Sequence, residues 1–168
     1  MPGFQFDHSY ISLPENLFRR VQPQKVAKPE MIVYNESLDN TLRLHLAGEK
    51  KEMLAAIFSG QQIPQGADPI AQAYAGHQFG HFNQLGDGRA ILLGEHIGPD
   101  NKRYDIQFKG SGITPYSRRG DGQATLSAML REYLYSEAMH GLGIATTRSL
   151  AVVKTGEEVV RQIGRAHV

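Results

Sequence analysis

The chain has 168 residues, a net charge of +1, 40% hydrophobic and 21% charged residues, proportions of a globular domain able to bury one core. So small a net charge calls for no polyanionic partner such as nucleic acid, and the absence of cysteine excludes disulfides, thiolate metal sites and a thiol nucleophile. No apolar run exceeds six residues and the start, Met1-Pro-Gly-Phe-Gln-Phe-Asp-His, lacks the regions of a signal peptide, so the expectation is a cytoplasmic protein with no membrane attachment.

Residues 1–38 carry four of the eight prolines, Pro2, Pro14, Pro23 and Pro29, which suits an extended arm laid over a domain better than a helix. Helical spacing first appears at Leu42–Leu46. It returns across Glu49–Phe58, where Met53, Leu54, Ile57 and Phe58 form a stripe that Gly60 ends. A loop marked by Pro64, Gly66 and Pro69 follows. Residues 1–70 therefore read as a wrapping arm with a helical segment, and 71–168 as the unit that carries the chemistry.

After Gly88 the pattern changes to Arg89-Ala-Ile-Leu-Leu-Gly-Glu, a turn at Pro99-Asp-Asn-Lys, and Arg103-Tyr-Asp-Ile-Gln-Phe-Lys, which together predict a hairpin. Alternation in its second strand puts Tyr104, Ile106 and Phe108 on one face and Asp105, Gln107 and Lys109 on the other. From Gln123 to about Gly141 the sequence predicts a helix, with Asp121 as a cap and Gly141 at its exit. Leu126, Met129, Leu130, Tyr133 and Glu137 share one helical face, and Glu132 lies on a different side. Arg148–Lys154 reads as a strand, Thr155-Gly156-Glu157 as a turn, and Glu158–Ile163 as one more strand. The whole describes an α+β chain with an antiparallel sheet and a packed helix.

Ten of the 18 glycines fall between Gly76 and Gly122. In the same window lie Arg89, Arg103, Lys109, Arg118 and Arg119, and two Gly-Asp-Gly triplets, 86–88 and 120–122, bracket Lys109. Close backbone approach with fixed cations is what a phosphate group requires. The second triplet precedes a predicted helix start, whose unpaired N–H groups favour an anion. Lys109 on a strand followed by a helical glutamate has the order of the kinase lysine–glutamate pair, with Glu132 and Glu137 both in range as the partner. His77 and His81 have a spacing that chelates zinc on a helix, but Gly76 and Gly80 argue against a helix and no third ligand stands out. The Gly-x4-Gly-Lys phosphate loop, a complete Gly-x-Gly-x-x-Gly and the Gly-x-Ser-x-Gly elbow are all absent.

Long stretches are more specific still: Ala73-Tyr-Ala-Gly-His-Gln-Phe-Gly-His-Phe-Asn-Gln-Leu-Gly-Asp-Gly-Arg-Ala, Lys109-Gly-Ser-Gly, Thr114-Pro-Tyr-Ser-Arg-Arg-Gly-Asp-Gly, Arg131-Glu-Tyr-Leu and Ser136-Glu-Ala-Met-His. They resemble the selenoprotein O family, also called SelO or YdiU, from about Asp7 to Glu158. The resemblance implies a protein-kinase-like N-terminal lobe that binds ATP in a flipped orientation and transfers AMP to hydroxyl side chains of proteins. It implies that Gly86, Gly88, Arg89, Lys109, Asp121 and Gly122 contact the nucleotide and that Glu132 pairs with Lys109. It also implies that the catalytic base and the Mg2+ ligands lie in a helical C-terminal lobe beyond residue 168. The tail from Gly156 departs from the family pattern, so the expectation is a truncated, ATP-binding part without turnover of its own. The alternative is a non-catalytic nucleotide- or anion-binding module, or a remnant of the enzyme.

Overall fold

The computed structural model describes residues 3–78 and 80–159, a mixed α+β structure with antiparallel sheets and three α-helices. The strands are β1 (Phe6–Asp7), β2 (Phe18–Arg20), β3 (Glu30–Tyr34), β4 (Ile70–Gln72), β5 (Ala75–Gln78), β6 (His81–Gln84), β7 (Ala90–Ile97), β8 (Arg103–Lys109) and β9 (Ala151–Lys154). The helices are α1 (Glu36–Leu42), α2 (Lys51–Phe58) and α3 (Leu126–Gly141). No helix among the described residues is long and apolar enough to cross a membrane.

β7 is the spine of the main sheet. One edge pairs with β8 along its whole length, and the other takes β1 at one end and β4, followed by β2, at the other. β8 keeps the expected alternation, with Ile106 and Phe108 buried and Asp105, Gln107 and Lys109 exposed. β7 does not alternate: it is buried from Ile91 through His96, because both its faces are covered and because Leu93 is an extra residue between the pairs Leu92–Gln107 and Gly94–Ile106. This bulge resets which face each later residue occupies. On one face Leu93, Ile106 and Phe108 pack with Leu38, Leu42, Leu44, Leu46, Leu54 and Ile57. On the other, Leu92 packs with Phe18 and Ile70 beneath Tyr10 and Ile11 of the arm. Full burial of a leucine such as Leu44 or Leu46, both 0% exposed, is worth about 1.5–3 kcal/mol.

The arm is tied down by polar contacts at that same strand. Glu95, on the arm side, accepts from Ser9 N and Oγ at 2.6 and 2.7 Å and from Arg103 at 3.2 Å. His96, on the leucine side, accepts from Gln5 N at Nδ1 (3.0 Å), so its Nε2 carries the proton donated to Leu42 O at 2.9 Å.

Several boundaries differ from the sequence reading, among them the start of β9, which is Ala151 and not Arg148. The helix expected from Leu42 ends there: Asn35 caps α1 by accepting from Leu38 N at 3.0 Å, and Arg43 and His45 both take φ of 55°, outside any helix. Leu44 and Leu46 are core residues of a turn, held by buried Asp39, which accepts from Leu46 N and from Ala47 N at 2.6 Å. α3 is capped by Thr125, accepting from Ala128 N at 3.4 Å, while Asp121 caps only a turn at Gln123 N. Its exit glycine is Gly143: Gly143 N bonds to His140 O and Ile144 N to Met139 O, at 2.9 and 3.0 Å, the paired bonds of a Schellman ending. Of the strand expected over 158–163, Glu158 and Val159 are not in a strand and the remainder lies outside the described residues.

Candidate functional site

The two Gly-Asp-Gly triplets lie on loops that pack together and line one cleft. The first, between β6 and β7, is anchored on β4: Asp87 N donates to Gln72 O at 2.8 Å and its carboxylate accepts from Gln72 N at 2.9 Å. Asp87 is 5% exposed, and burial raises its pKa, opposed by the Gln72 N–H. Gly86 has φ of 63°, and a Cβ there would sit 2.6 Å from the Tyr116 ring and 2.8 Å from Gln72 O, so no larger residue fits.

The second triplet lies on the loop between β8 and α3, which folds back over the first. Gly110 N donates to Arg89 O at 2.7 Å, Thr114 Oγ1 donates to Asp87 O, and Ser117 Oγ donates to Gly88 O at 2.6 Å while accepting from Thr114 N at 2.8 Å. Thr114 and Ser117 are both buried. Their hydroxyls satisfy the carbonyls of the first loop, which an apolar side chain would leave unpaired. Gly122 closes the fold: its O accepts from Gly112 N at 3.3 Å, and a Cβ at Gly122 would lie 1.8 Å from Gly112 O.

Between the loops is an open cleft of about 620 Å³, within the range of small-molecule sites. Gly86, Gly88, Arg89, Asp121 and Gly122 line it, together with Tyr74, Tyr116, Arg118 and Arg119. Lys109 and Glu132 stand beside the cleft, not among its lining residues. Lys109 Nζ donates to Glu132 Oε2 at 2.8 Å, and Arg89 of the cleft wall approaches Glu132 Oε1 at 4.0 Å. Both pairs are nearly half exposed, so they are weak in isolation and open to exchange for a ligand's anionic oxygens. Glu137 takes no part there. It accepts from Arg148 Nε and Nη2 at 2.7 and 2.6 Å, from Asn35 Nδ2 at 2.8 Å and from Ser149 N at 3.2 Å. The Arg148 guanidinium, with these N–H groups, holds its carboxyl down at about 2 despite partial burial.

His77 and His81 lie on the β5–β6 hairpin, where His77 pairs with Phe82 and His81 with Gln78. Adjacent pairs face opposite sides of a hairpin, so the two imidazoles do not converge on one ion. Among the described residues no three His, Asp or Glu side chains form a group able to hold a metal. Sequence reasoning named the glycines and cations but gave no role to Asp87, Thr114, Tyr116 or Ser117. The usable signal was the Thr-Pro-Tyr-Ser run: two hydroxyls flanking a turn.

The family model described as protein adenylyltransferase SelO matches residues 3–166. The chain is 60% identical over 164 residues to a protein nucleotidyltransferase YdiU of Syntrophotalea carbinolica. It is 57% identical over 160 residues to one of Nitrosococcus oceani and 60% identical over 160 residues to one of Anoxybacillus flavithermus. These alignments cover 95% or 96% of this chain but 32% or 33% of the relatives. The chain thus spans about a third of the length of the curated relatives it matches.

Proposed function

Because this chain belongs to the protein adenylyltransferase SelO family, we propose that the cleft between its glycine triplets binds ATP as the nucleotide-holding part of a protein adenylyltransferase. Residues 71–168 then form a kinase-like N-terminal lobe, with residues 1–70 packed around it. The observation that carries this reading is the convergence of Arg89, Arg118 and Arg119 with tight glycine turns on one open cleft, beside a lysine–glutamate pair.

The reaction joins a hydroxyl oxygen of a protein substrate to the α-phosphorus of ATP, breaks the bond from that phosphorus to the β-phosphate bridge, and releases pyrophosphate. The hydroxyl proton passes to a base. In this chain the work is positioning and charge compensation. Gly86 and Gly88 let the backbone approach the phosphates, Arg89 and Lys109 neutralise charge that grows on the departing pyrophosphate, and Asp121 and Gly122 shape the opposite wall. Glu132 holds the Lys109 ammonium extended toward them. The family's use of ATP implies magnesium, which at a nucleotide takes most of its oxygens from phosphates and water with one or two carboxylates; among the described residues no group of three His, Asp or Glu side chains marks a protein-only site, and neither a step through the metal nor a base is assigned within this chain.

The expected behaviour is ATP binding without turnover. Titration of the chain with a fluorescent ATP analogue tests the reading. Lys109→Ala removes a charge-assisted contact and weakens binding about 10- to 100-fold, as losing ~1.5–3 kcal/mol requires. Lys102, 74% exposed and paired with Asp100 on the far turn, serves as the control. Equal effects of Lys109→Ala and Lys102→Ala would mean nonspecific charge and defeat the assignment. Transfer of label from ATP to protein by the chain alone would overturn the expectation of no turnover.

A further inference from the structure

α3 is seated differently from α2. α2 buries Leu54, Ala55 and Ile57, whereas none of the 16 residues of α3 is buried. Its predicted apolar stripe is only half covered, and Leu134 and Tyr135 are 63% and 64% exposed. Apolar burial therefore does little to fix its rotation, and polar ties must do it.

Those ties concentrate at Glu137. Four donors from two separate segments converge on its carboxylate: Asn35, Arg148 twice, and the Ser149 amide, which fills the acceptor sites of both oxygens. Asn35 is 7% exposed, caps α1 and also donates to Ser149 O, so this clamp is built into the core. Ser136 adds a hydroxyl contact to Ser149 at 2.8 Å. Glu132 precedes Glu137 by five residues, which places it about 140° around the helix and about 7.5 Å along it. The two carboxylates thus hold opposite commitments, one to the body of the fold and one to Lys109. A roll of about 20° would carry a carboxylate ~6 Å from the axis by about 2 Å, enough to break the 2.8 Å contact to Lys109.

We propose that Glu137 is a positioning residue for the nucleotide site: clamped by Asn35, Arg148 and Ser149, it sets the rotation of α3 at which Glu132 meets Lys109. The proposal rests on the cleft being a nucleotide site. Glu137→Gln keeps the shape but discards the charge that orients four donors. The variant should keep amide protection in β7 and β8, lose it in α3, and bind the fluorescent ATP analogue about tenfold more weakly, as when the competent orientation falls to about a tenth of the molecules.

Rescue separates position from general stability. The chain has no cysteine, so Ser136→Cys with Ser149→Cys in the Glu137→Gln background gives a single disulfide at a pair of hydroxyls 2.8 Å apart. Oxidation should restore both α3 protection and affinity, and reduction should remove both. The proposal is overturned if Glu137→Gln binds like the parent chain, or if the crosslink restores α3 protection but not affinity. If the parent chain binds no nucleotide, the reading of the cleft fails. The clamp is then judged on hydrogen exchange alone, with unchanged α3 protection in Glu137→Gln overturning it and lost protection upholding it.

Discussion

Replacing Gly122 by alanine tests whether the loop between β8 and α3 is closed on itself by backbone contact. The new Cβ would lie 1.8 Å from Gly112 O, 2.2 Å from Gly112 C and 2.6 Å from Ile113 N, and none of these is a flexible side-chain end. An ordinary Cβ contact near 3.4 Å demands that the segments part by about 1.6 Å, which breaks the 3.3 Å bond from Gly112 N to Gly122 O. Position 122 also has φ of 66°, a left-handed conformation that costs a residue with Cβ about 1–2 kcal/mol. With the lost hydrogen bond at about 0.5–1.5 kcal/mol, the total is about 2–3 kcal/mol. Denaturant unfolding should show that loss, and the nucleotide analogue should bind more weakly because the wall carrying Asp121 moves away from Arg89. Gly141→Ala is the control: it lies in α3 with nothing within 4 Å of its Cβ and should stabilise by about 0.5–1 kcal/mol. A Gly122→Ala protein that unfolds and binds like the parent would refute the steric argument.

Acid should act through Glu137. Its carboxyl is held near 2 against an ordinary 4.5, so its contribution is complete above pH 4.5 and disappears as pH falls toward 2. The bound is about 3 kcal/mol, reduced to ~1–2 kcal/mol for the 22% exposure of the pair. Stability curves of the parent and Glu137→Gln should therefore converge between pH 4.5 and 2, and parallel curves would exclude this carboxylate as the source. Asp39→Ala leaves Leu46 N and Ala47 N without their buried acceptor and should cost about 2–3 kcal/mol in denaturant unfolding. A change under 0.5 kcal/mol would show that the turn carrying Leu44 and Leu46 holds without it.

Strong periodicity made parts of the fold legible. β8 follows its alternation from Arg103 to Lys109; of the stripe Met53, Leu54, Ile57 and Phe58 expected in α2, Leu54 and Ile57 are buried and Phe58 is partly buried against the core, while Met53 is 40% exposed. Leu42–Leu46 misled: leucines spaced like a helix are buried here by a turn at Arg43 and His45, whose geometry depends on Asp39 and not on spacing. The β5–β6 hairpin was hidden by glycines at 76 and 80, which mark no period. In the cleft, glycines and cations stood out as residue types. The staples did not, since Thr114 meets Asp87 across 27 positions and Ser117 meets Gly88 across 29. Glu132 and Glu137 could not be ranked by helical spacing, since what separates them is Arg148, on a segment beyond the helix.

The extra residue at Leu93 gives β7 a parity. Beyond it, Glu95 turns to the hydroxyl and amide of Ser9, and His96 to the carbonyl of Leu42. Deletion of Leu93 would leave both on the faces they hold, because Leu92–Gln107 and Gly94–Ile106 would then be consecutive pairs of a regular ladder. The strand is therefore asymmetric to changes of length: losing the bulge residue costs the Leu93 side chain its place among the leucines and leaves the arm latched, whereas one more residue would turn Glu95 toward the leucines and His96 toward the arm.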